Sequence, residues 1–452
     1  MIFRRKIYNK LLDWKESVHG QKAILIEGAR RIGKSTIAEE FAKNEYKSYI
    51  LIDFNKIGDA VRNAFENYLD ELDTFFMILS AEYNVSLYRR ESIIIFDEVQ
   101  QFPTARQAIK YLVADGRYDY IETGSLISIK ANVEGITLPS EERRLMMYPL
   151  DFEEFLWAMN ESRMAVYVRD CFEKRVPLEQ NLHSKAMFLF RQYMIVGGMP
   201  KPLSAYIEHD RSFKLADEEK RDILNLYRSD ISKIKTSDKA RVLAIFDQIP
   251  AFLSMSERRV VLGNIEKGAS FPKYHDTFFW LADSMIVNEC FNCADPNVGL
   301  SLNEDRTYVK CYMCDTGLLV SHSFNENEMT DGELYREMLH GKLSTNEGMF
   351  YENAIAQMLV AAGHKLFFYV HYNVEKHRND IEIDFLLSNN SKLKYKVWPI
   401  EVKSSNRYSL TSLSRFHEKF KERIGNAIVI HPKNLKFEER ILYIPAYMTF
   451  CL

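Results

Sequence analysis

No apolar run in the 452-residue sequence approaches the ~18 residues that mark a membrane-spanning helix, so no membrane segment is expected. The opening stretch Met1-Ile-Phe-Arg-Arg-Lys-Ile-Tyr lacks the apolar core of a signal peptide, which points to a cytoplasmic location. Cysteine is scarce. Six residues in a cytoplasmic chain of this length argue against a disulfide framework. Charge of one sign is also lacking, since a net charge of −3 excludes a chain that is basic throughout while leaving local patches open. A hydrophobic share of 46% and a charged share of 27% describe an ordinary globular protein. At about 150 residues per domain the length allows two to four domains.

One stretch is anything but ordinary. Ala23–Ile37 reads AILIEGARRIGKSTI, and Gly28-Ala29-Arg30-Arg31-Ile32-Gly33-Lys34-Ser35 satisfies the phosphate-loop pattern G-x-x-x-x-G-K-[ST] at every fixed position. The apolar run before it predicts a buried strand. Ile37, Phe41 and Ala42 at helical spacing predict a helix after it. In that strand–loop–helix order, backbone N–H groups of the loop through Thr36 would face phosphates. Lys34 would reach the β/γ-phosphates of ATP, and the Ser35 hydroxyl would ligate Mg²⁺.

Upstream, residues 2–19 predict an amphipathic helix, with Ile7, Leu11, Leu12 and Trp14 on one side and Arg4, Arg5, Lys10 and Lys15 on the other. Downstream, Ser48–Phe54 predicts a second strand, followed by a mostly polar helical region to about Arg90. Ser92–Glu98, SIIIFDE, predicts a strand buried on both faces that ends in two acids, the Walker B pattern. Acids at the C-terminal end of a parallel strand sit at the rim where ligands bind. Asp97 would hold Mg²⁺, and Glu98 would orient or deprotonate the attacking water. Thr123, near the end of the strand Tyr118–Ser125, could place a polar group near the γ-phosphate, or simply end a strand before a Gly turn. Arg143 and Arg144, in the Leu138–Leu156 stretch, are candidate arginine fingers acting on a neighbouring subunit, or else a solvated basic pair.

The order GARRIGKST, IIIFDEVQ, ETGS, RRLMMYPLDFEEFL and YMIVGGMP resembles a family of bacterial and archaeal AAA-type ATPases. These carry a C-terminal domain of unknown function related to PD-(D/E)xK nucleases. The family's loop usually reads like GPRRVGKT, so Ala29 and Ser35 depart from it without altering the chemistry. The resemblance runs over nearly the whole chain. It implies a helical lid and a winged-helix-like module in the middle, and it covers the block YVKCYMCDTGLL as a fold signature.

Cys290-x-x-Cys293 and Cys311-x-x-Cys314 have the spacing of a zinc ribbon. Neither pair has the glycine turn that lets two thiolates converge. On a strand over Thr307–Cys314, Cys311 and Cys314 would point to opposite faces. The resemblance does not imply a metal here, and the sequence leaves open whether the four cysteines bind zinc.

The last ~110 residues carry a second signal. A helix is predicted over Asn346–Gly363, with Glu352 on it. Ile381–Leu386 alternates, which places Glu382 and Asp384 on one strand face. In Trp398–Lys403, Glu401 and Lys403 share a face at i, i+2. Asp384 beside Glu401-x-Lys403 is the PD-(D/E)xK arrangement, whose carboxylates would hold Mg²⁺ while the lysine helps orient water or stabilises the transition state. Glu352 matches the extra acid that many such sites carry. Residues 391–440 hold twelve Lys/Arg against five Asp/Glu, and Tyr395, Trp398, Arg407 and Tyr408 lie among them, a pattern suited to a nucleic-acid backbone.

The expected architecture is α/β. Residues 1–155 form an AAA-like P-loop parallel-sheet domain, 156–234 a helical lid, 235–335 a winged-helix-like module and 336–452 a restriction-endonuclease-like domain. The expected function is Mg²⁺-dependent ATP hydrolysis coupled to a C-terminal domain that binds, or binds and cleaves, DNA or another nucleic acid. A homo-oligomer is a further expectation. The alternative is an ATP-driven switch whose C-terminal domain binds a protein partner and cuts nothing. A small-molecule phosphotransferase is a third reading, disfavoured by the Asp97–Glu98 pair.

Overall fold

The computed structural model describes residues 1–18, 20–124, 140–234, 239–269, 271–297, 299–324, 332–341, 347–373, 375, 377–389 and 396–452. Ser125, Leu138, Asn346 and Tyr395, named above, lie outside the described residues. The chain divides into two compact units, Met1–Tyr148 with Asp283–Met285, and Pro149–Ala282 with Ile286–Leu452. Among the described residues no helix is long and apolar enough to cross a membrane.

The first unit runs α1 (Ile7–Val18), β1 (Ala23–Glu27), α2 (Lys34–Glu45), β2 (Ser48–Asp53), α3 (Asp59–Asn67), α4 (Leu72–Tyr83), β3 (Ser92–Asp97), α5 (Pro103–Asp115), β4 (Asp119–Gly124) and β5 (Glu142–Met146). The strands form one parallel sheet in the order β2-β3-β4-β1-β5. Helices cover such a sheet on both faces, so β1 and β4 are buried along their whole length and β3 up to its final residue. Because β4 lies between β1 and β3, the phosphate loop, Thr123 and Asp97 all leave the sheet at the same edge. The region expected to be mostly polar is two helices, α3 and α4, with an aromatic inner face. Phe65 packs edge-on against Phe75 at 5.0 Å and against Phe96 of β3 at 5.6 Å, so these rings seal the sheet.

The second unit opens with α6 (Phe152–Ala158), α7 (Ser162–Lys174), α8 (Gln180–Val196), α9 (Pro200–Glu208), α10 (Phe213–Ser232), α11 (Lys239–Ser254) and α12 (Phe271–Asp283). It continues through β6 (Val287–Cys293), β7 (Glu304–Met313), α13 (Thr316–Ser323), α14 (Gly332–His340) and α15 (Glu347–Ala361). The C-terminal part adds β8 (Leu366–Asn373), β9 (Arg378–Ile383), β10 (Phe385–Asn389), β11 (Lys396–Val402), α16 (Thr411–Lys419), β12 (Ala427–His431), β13 (Lys436–Glu438) and β14 (Ile441–Pro445). Two sheets result, β7-β6-β8-β9 and a mixed sheet β10-β11-β12-β14-β13.

The expected boundary at 335/336 runs through the first of these sheets, because Cys290, Phe291 and Asn292 of β6 pair with Leu366, Phe367 and Phe368 of β8. Backbone hydrogen bonding thus joins the middle segment to the C-terminal one in a single layer. Asp315 caps α13 through the Leu318 N–H at 2.9 Å and takes the Gly198 N–H at 2.5 Å. A Cβ on Gly198 would fall 2.1 Å from the Leu150 carbonyl oxygen, so only glycine allows this approach.

Candidate functional sites

In the first unit, the chain leaves β1 at Gly28, where a Cβ would lie 2.4 Å from the Met147 carbonyl oxygen. It reaches α2 through Gly33, whose φ of 93° favours glycine. Lys34 is buried, and its ammonium donates to the carbonyls of Gly28 and Ala29, each at 3.0 Å. Burial pushes its pKa down to about 8, against the pull of Glu98 and Asp97.

The loop has a support absent from its own motif. Arg5, expected on the solvent side of an N-terminal helix, is buried instead. It donates to the Ile32 carbonyl at 3.1 Å and the Tyr148 carbonyl at 2.5 Å. The helix starts at Ile7, so Arg5 precedes it and is free to turn inward. Beside α2 lies a cavity of about 320 Å³ lined by Phe3, Arg4, Tyr8, Ile37 and Asn44 among others.

The acids converge on the loop. The Ser35 hydroxyl donates to Asp97 at 2.6 Å. The Thr123 hydroxyl donates to the same Asp97 oxygen and accepts the Glu98 N–H at 3.4 Å. Thr123 is fully buried and braces both acids. Glu98 itself sits at φ 54° and accepts from the Gln100 side-chain amide. A hydroxyl beside a carboxylate at a loop rim is the hard-oxygen donor set that suits Mg²⁺.

The paired arginines differ. Both are exposed, and Arg144 also pairs with Glu142 at 3.3 Å and Glu27 at 3.7 Å. Arg144 therefore has ion-pair partners in its own chain.

In the second unit the predicted acids are brought near one another but are split between two sheets. The strand expected over 381–386 breaks at Asp384. Residues up to Ile383 pair with β8, and those from Phe385 pair with β11. Glu382 consequently lies 3.5 Å from Lys310, and the Asp384 carboxylate takes the Val402 N–H at 2.7 Å. Glu401 is buried and pairs with Lys403 at 2.8 Å. Burial, reinforced by the Asp384 carboxylate, pushes the Glu401 carboxyl up to about 8.

Glu352 is not an open ligand. It is fully buried, paired with Arg258 and with Lys310 at 3.3 Å, and hydrogen-bonded by the Tyr312 hydroxyl. Asp384 and Glu401 are the two carboxylates that could hold a cation. That count fits Mg²⁺, which takes one or two carboxylates and completes its shell with waters and substrate phosphates.

All four ribbon-spaced cysteines are buried, and burial pushes the Cys293 thiol up to about 11. Cys290 lies opposite Lys310 across the ladder, so Cys311 projects to the other face. Among the described residues no group of three or more metal-donating side chains is close enough to hold an ion. Several of the C-terminal basic residues are internally engaged: Arg423 with Asp295 at 2.5 Å, Lys436 with Glu438 at 2.8 Å, and Arg415 with the Asp380 carbonyl at 3.0 Å.

Sheet order, loop and paired acids define an AAA-type P-loop domain in the N-terminal part of the chain. In agreement, residues 20–156 match the family model of an AAA domain. Residues 187–328 and 347–448 match two domains of unknown function, DUF8612 and DUF4143. A comparison with curated proteins gives no match. Among solved structures the chain is similar to a Walker-type ATPase of Pyrococcus abyssi, at 15% identity over 71% of this chain and 96% of that one, with a TM-score of 0.40. It is also similar to Drosophila ORC bound to DNA (14% identity, 68% and 91% covered, TM-score 0.27). A third is AMPPCP-bound DnaA from Aquifex aeolicus (11% identity, 63% and 88% covered, TM-score 0.28).

Proposed function

We propose that the first unit binds ATP with Mg²⁺ and hydrolyses it. The observation that carries this is the chain of hydrogen bonds from Ser35 to Asp97 to Thr123 to the Glu98 backbone. It gathers residues from a loop and two strands at the rim where Lys34 stands. The loop amides and Lys34 would bind the phosphates, and the base of the nucleotide would enter the cavity beside α2. Ser35 and Asp97 would hold Mg²⁺, which supplies charge neutralisation on the phosphates when bound. Glu98, placed one residue beyond Asp97, would take a proton from the attacking water. Equilibrium binding of ATP and phosphate release by the purified chain test this reading.

For the second unit the proposed role is nucleic-acid binding. The support is the cluster of Asp384, Glu401 and Lys403, with cationic Arg258 and Lys310 behind it. Cleavage at that cluster is the stronger form of the reading. Asp384 and Glu401 would hold Mg²⁺ together with a substrate phosphate, and Lys403 would orient water. Mg²⁺-dependent cleavage that disappears in both Asp384→Ala and Lys403→Ala tests it. Binding of a DNA or RNA strand that weakens as salt rises tests the milder form.

A further inference from the structure

One face of the β7-β6-β8-β9 sheet opens into a cavity of about 450 Å³, a volume typical of small-molecule sites. Strand alternation places Phe368, Val370 and Tyr372 of β8 on one side of the ribbon, and Tyr308 of β7 joins the lining where the β6–β7 register shifts. Tyr308 and Tyr372 are 36% and 52% exposed, a large aromatic area for solvent to meet. Arg259 lies over the Tyr308 ring at 4.9 Å and is held there by Glu257 at 2.5 Å, so a guanidinium stands on one face of that ring and adds a cationic group to the lining. The polar groups are few and directed. Asn292 is fixed because its side-chain oxygen accepts the Val370 N–H at 3.1 Å, which leaves its amide nitrogen as the donor end. Glu382 supplies an acceptor beside it.

We infer that this cavity is a nucleobase pocket, in which a base stacks on Tyr308 and Tyr372 and meets Asn292 and Glu382 along one edge. Aromatic faces bind bases of any identity, because every base has a π-face. An adjacent amide donor and carboxyl acceptor suit the donor–acceptor edge that all bases carry. The position of the pocket favours a nucleotide over an aromatic amino acid or a sugar. Glu382 pairs with Lys310, which also pairs with Glu352, and Glu382 contributes to the field that raises Glu401. Glu382 thus links the lining of the pocket to the acid–lysine cluster where a phosphodiester is proposed to sit. An unstacked base is required, so the ligand is single-stranded nucleic acid or a free nucleotide. The inference deepens the nucleic-acid reading of the second unit and rests on it only for the strand.

The test is fluorescence anisotropy with the full-length chain, a mixed-sequence fluorescein-labelled single-stranded dodecamer, and its duplex, with Ca²⁺ as the divalent cation. Calorimetry with cytidine monophosphate runs in parallel. Tyr308→Ala and Tyr372→Ala remove exposed rings and should leave the melting curve unchanged. Each should weaken strand binding about 10-fold, while Tyr372→Phe stays within about 2-fold of the parent. The duplex should bind more weakly than the strand. Strand affinity unchanged in both alanine variants would overturn the pocket and leave nucleic-acid binding standing. Cytidine monophosphate binding that is lost in Tyr372→Ala, with no strand binding by the parent, supports the pocket for a free nucleotide and removes the nucleic-acid reading. Binding of neither ligand overturns both.

Discussion

The Ser35 hydroxyl donates a 2.6 Å hydrogen bond to the Asp97 carboxylate across 62 residues of sequence. Ser35 belongs to the first turn of α2, which follows β1, and Asp97 ends β3, with β4 lying between these two strands in the sheet. The contact exists because a parallel sheet delivers the C-terminal ends of all its strands to one edge. A loop that cradles phosphates and an acid that can share their cation are thereby in register before any ligand arrives.

Lys34 gives nucleotide binding a pH dependence. Its pKa is about 8 when the loop is free, and a phosphate beside it favours the charged form. The bound pKa is therefore the higher of the two, so binding takes up protons and weakens as pH rises above about 8. Calorimetry at pH 8.5 in buffers of different ionisation enthalpy should report net proton uptake. The uptake should vanish in Lys34→Met together with most of the affinity.

Arg5 should matter to nucleotide affinity although no phosphate-loop pattern includes it. Arg5→Ala removes two donors that hold the carbonyls of Ile32 and Tyr148. Hydrogen bonds from a charged donor are each worth about 1.5–3 kcal/mol. ATP affinity should fall roughly 10-fold or more, with kcat at saturating ATP little changed. An unaltered affinity would show that the loop holds its shape without this arm.

Thr123 should affect turnover more than binding. Thr123→Val keeps the shape but leaves the Glu98 N–H without its acceptor and Asp97 short of one donor. A cost of about 1–3 kcal/mol predicts a 10- to 100-fold lower kcat with a KM within a few-fold, and Thr123→Ser should recover most of the loss.

Glu401 couples stability of the second unit to pH. Its folded pKa of about 8 lies above the unfolded carboxylate value, so the stability it contributes is present below about pH 4.5 and is lost as pH rises toward 8. Glu401→Gln removes the charge that must otherwise be buried. Its melting temperature at pH 8.5 should exceed that of the parent by roughly 2–4 °C, the shift expected for about 1 kcal/mol. The difference should shrink by pH 5.

Strings that fold locally were legible in the sequence. The loop Gly28–Ser35 and the strand ending at Asp97 announce themselves through glycine spacing and a continuous apolar run, because each is one strand and its adjoining turn. Residues whose partners lie far along the chain were not. Arg5 reads as one more surface charge of a basic N-terminus. Glu382 and Asp384 alternate as if on one strand, and nothing local marks the break at Asp384, beyond which the chain joins a different sheet. The pairing of β6 with β8 has no local signature either, so the middle segment looks like a separate module. One signal was available. Lys310 interrupts a run of apolar and sulfur-containing residues, and a buried ammonium there requires carboxylate partners, which are Glu352 and Glu382.

The most direct test of ATP hydrolysis at this rim is phosphate release from Mg²⁺-ATP, measured with ATP binding, in the parent chain, Lys34→Ala and Glu98→Gln. The account predicts turnover in the parent, neither binding nor turnover in Lys34→Ala, and tight binding with at least ~100-fold slower release in Glu98→Gln. Rapid release by Glu98→Gln, or turnover that survives Lys34→Ala, would contradict it.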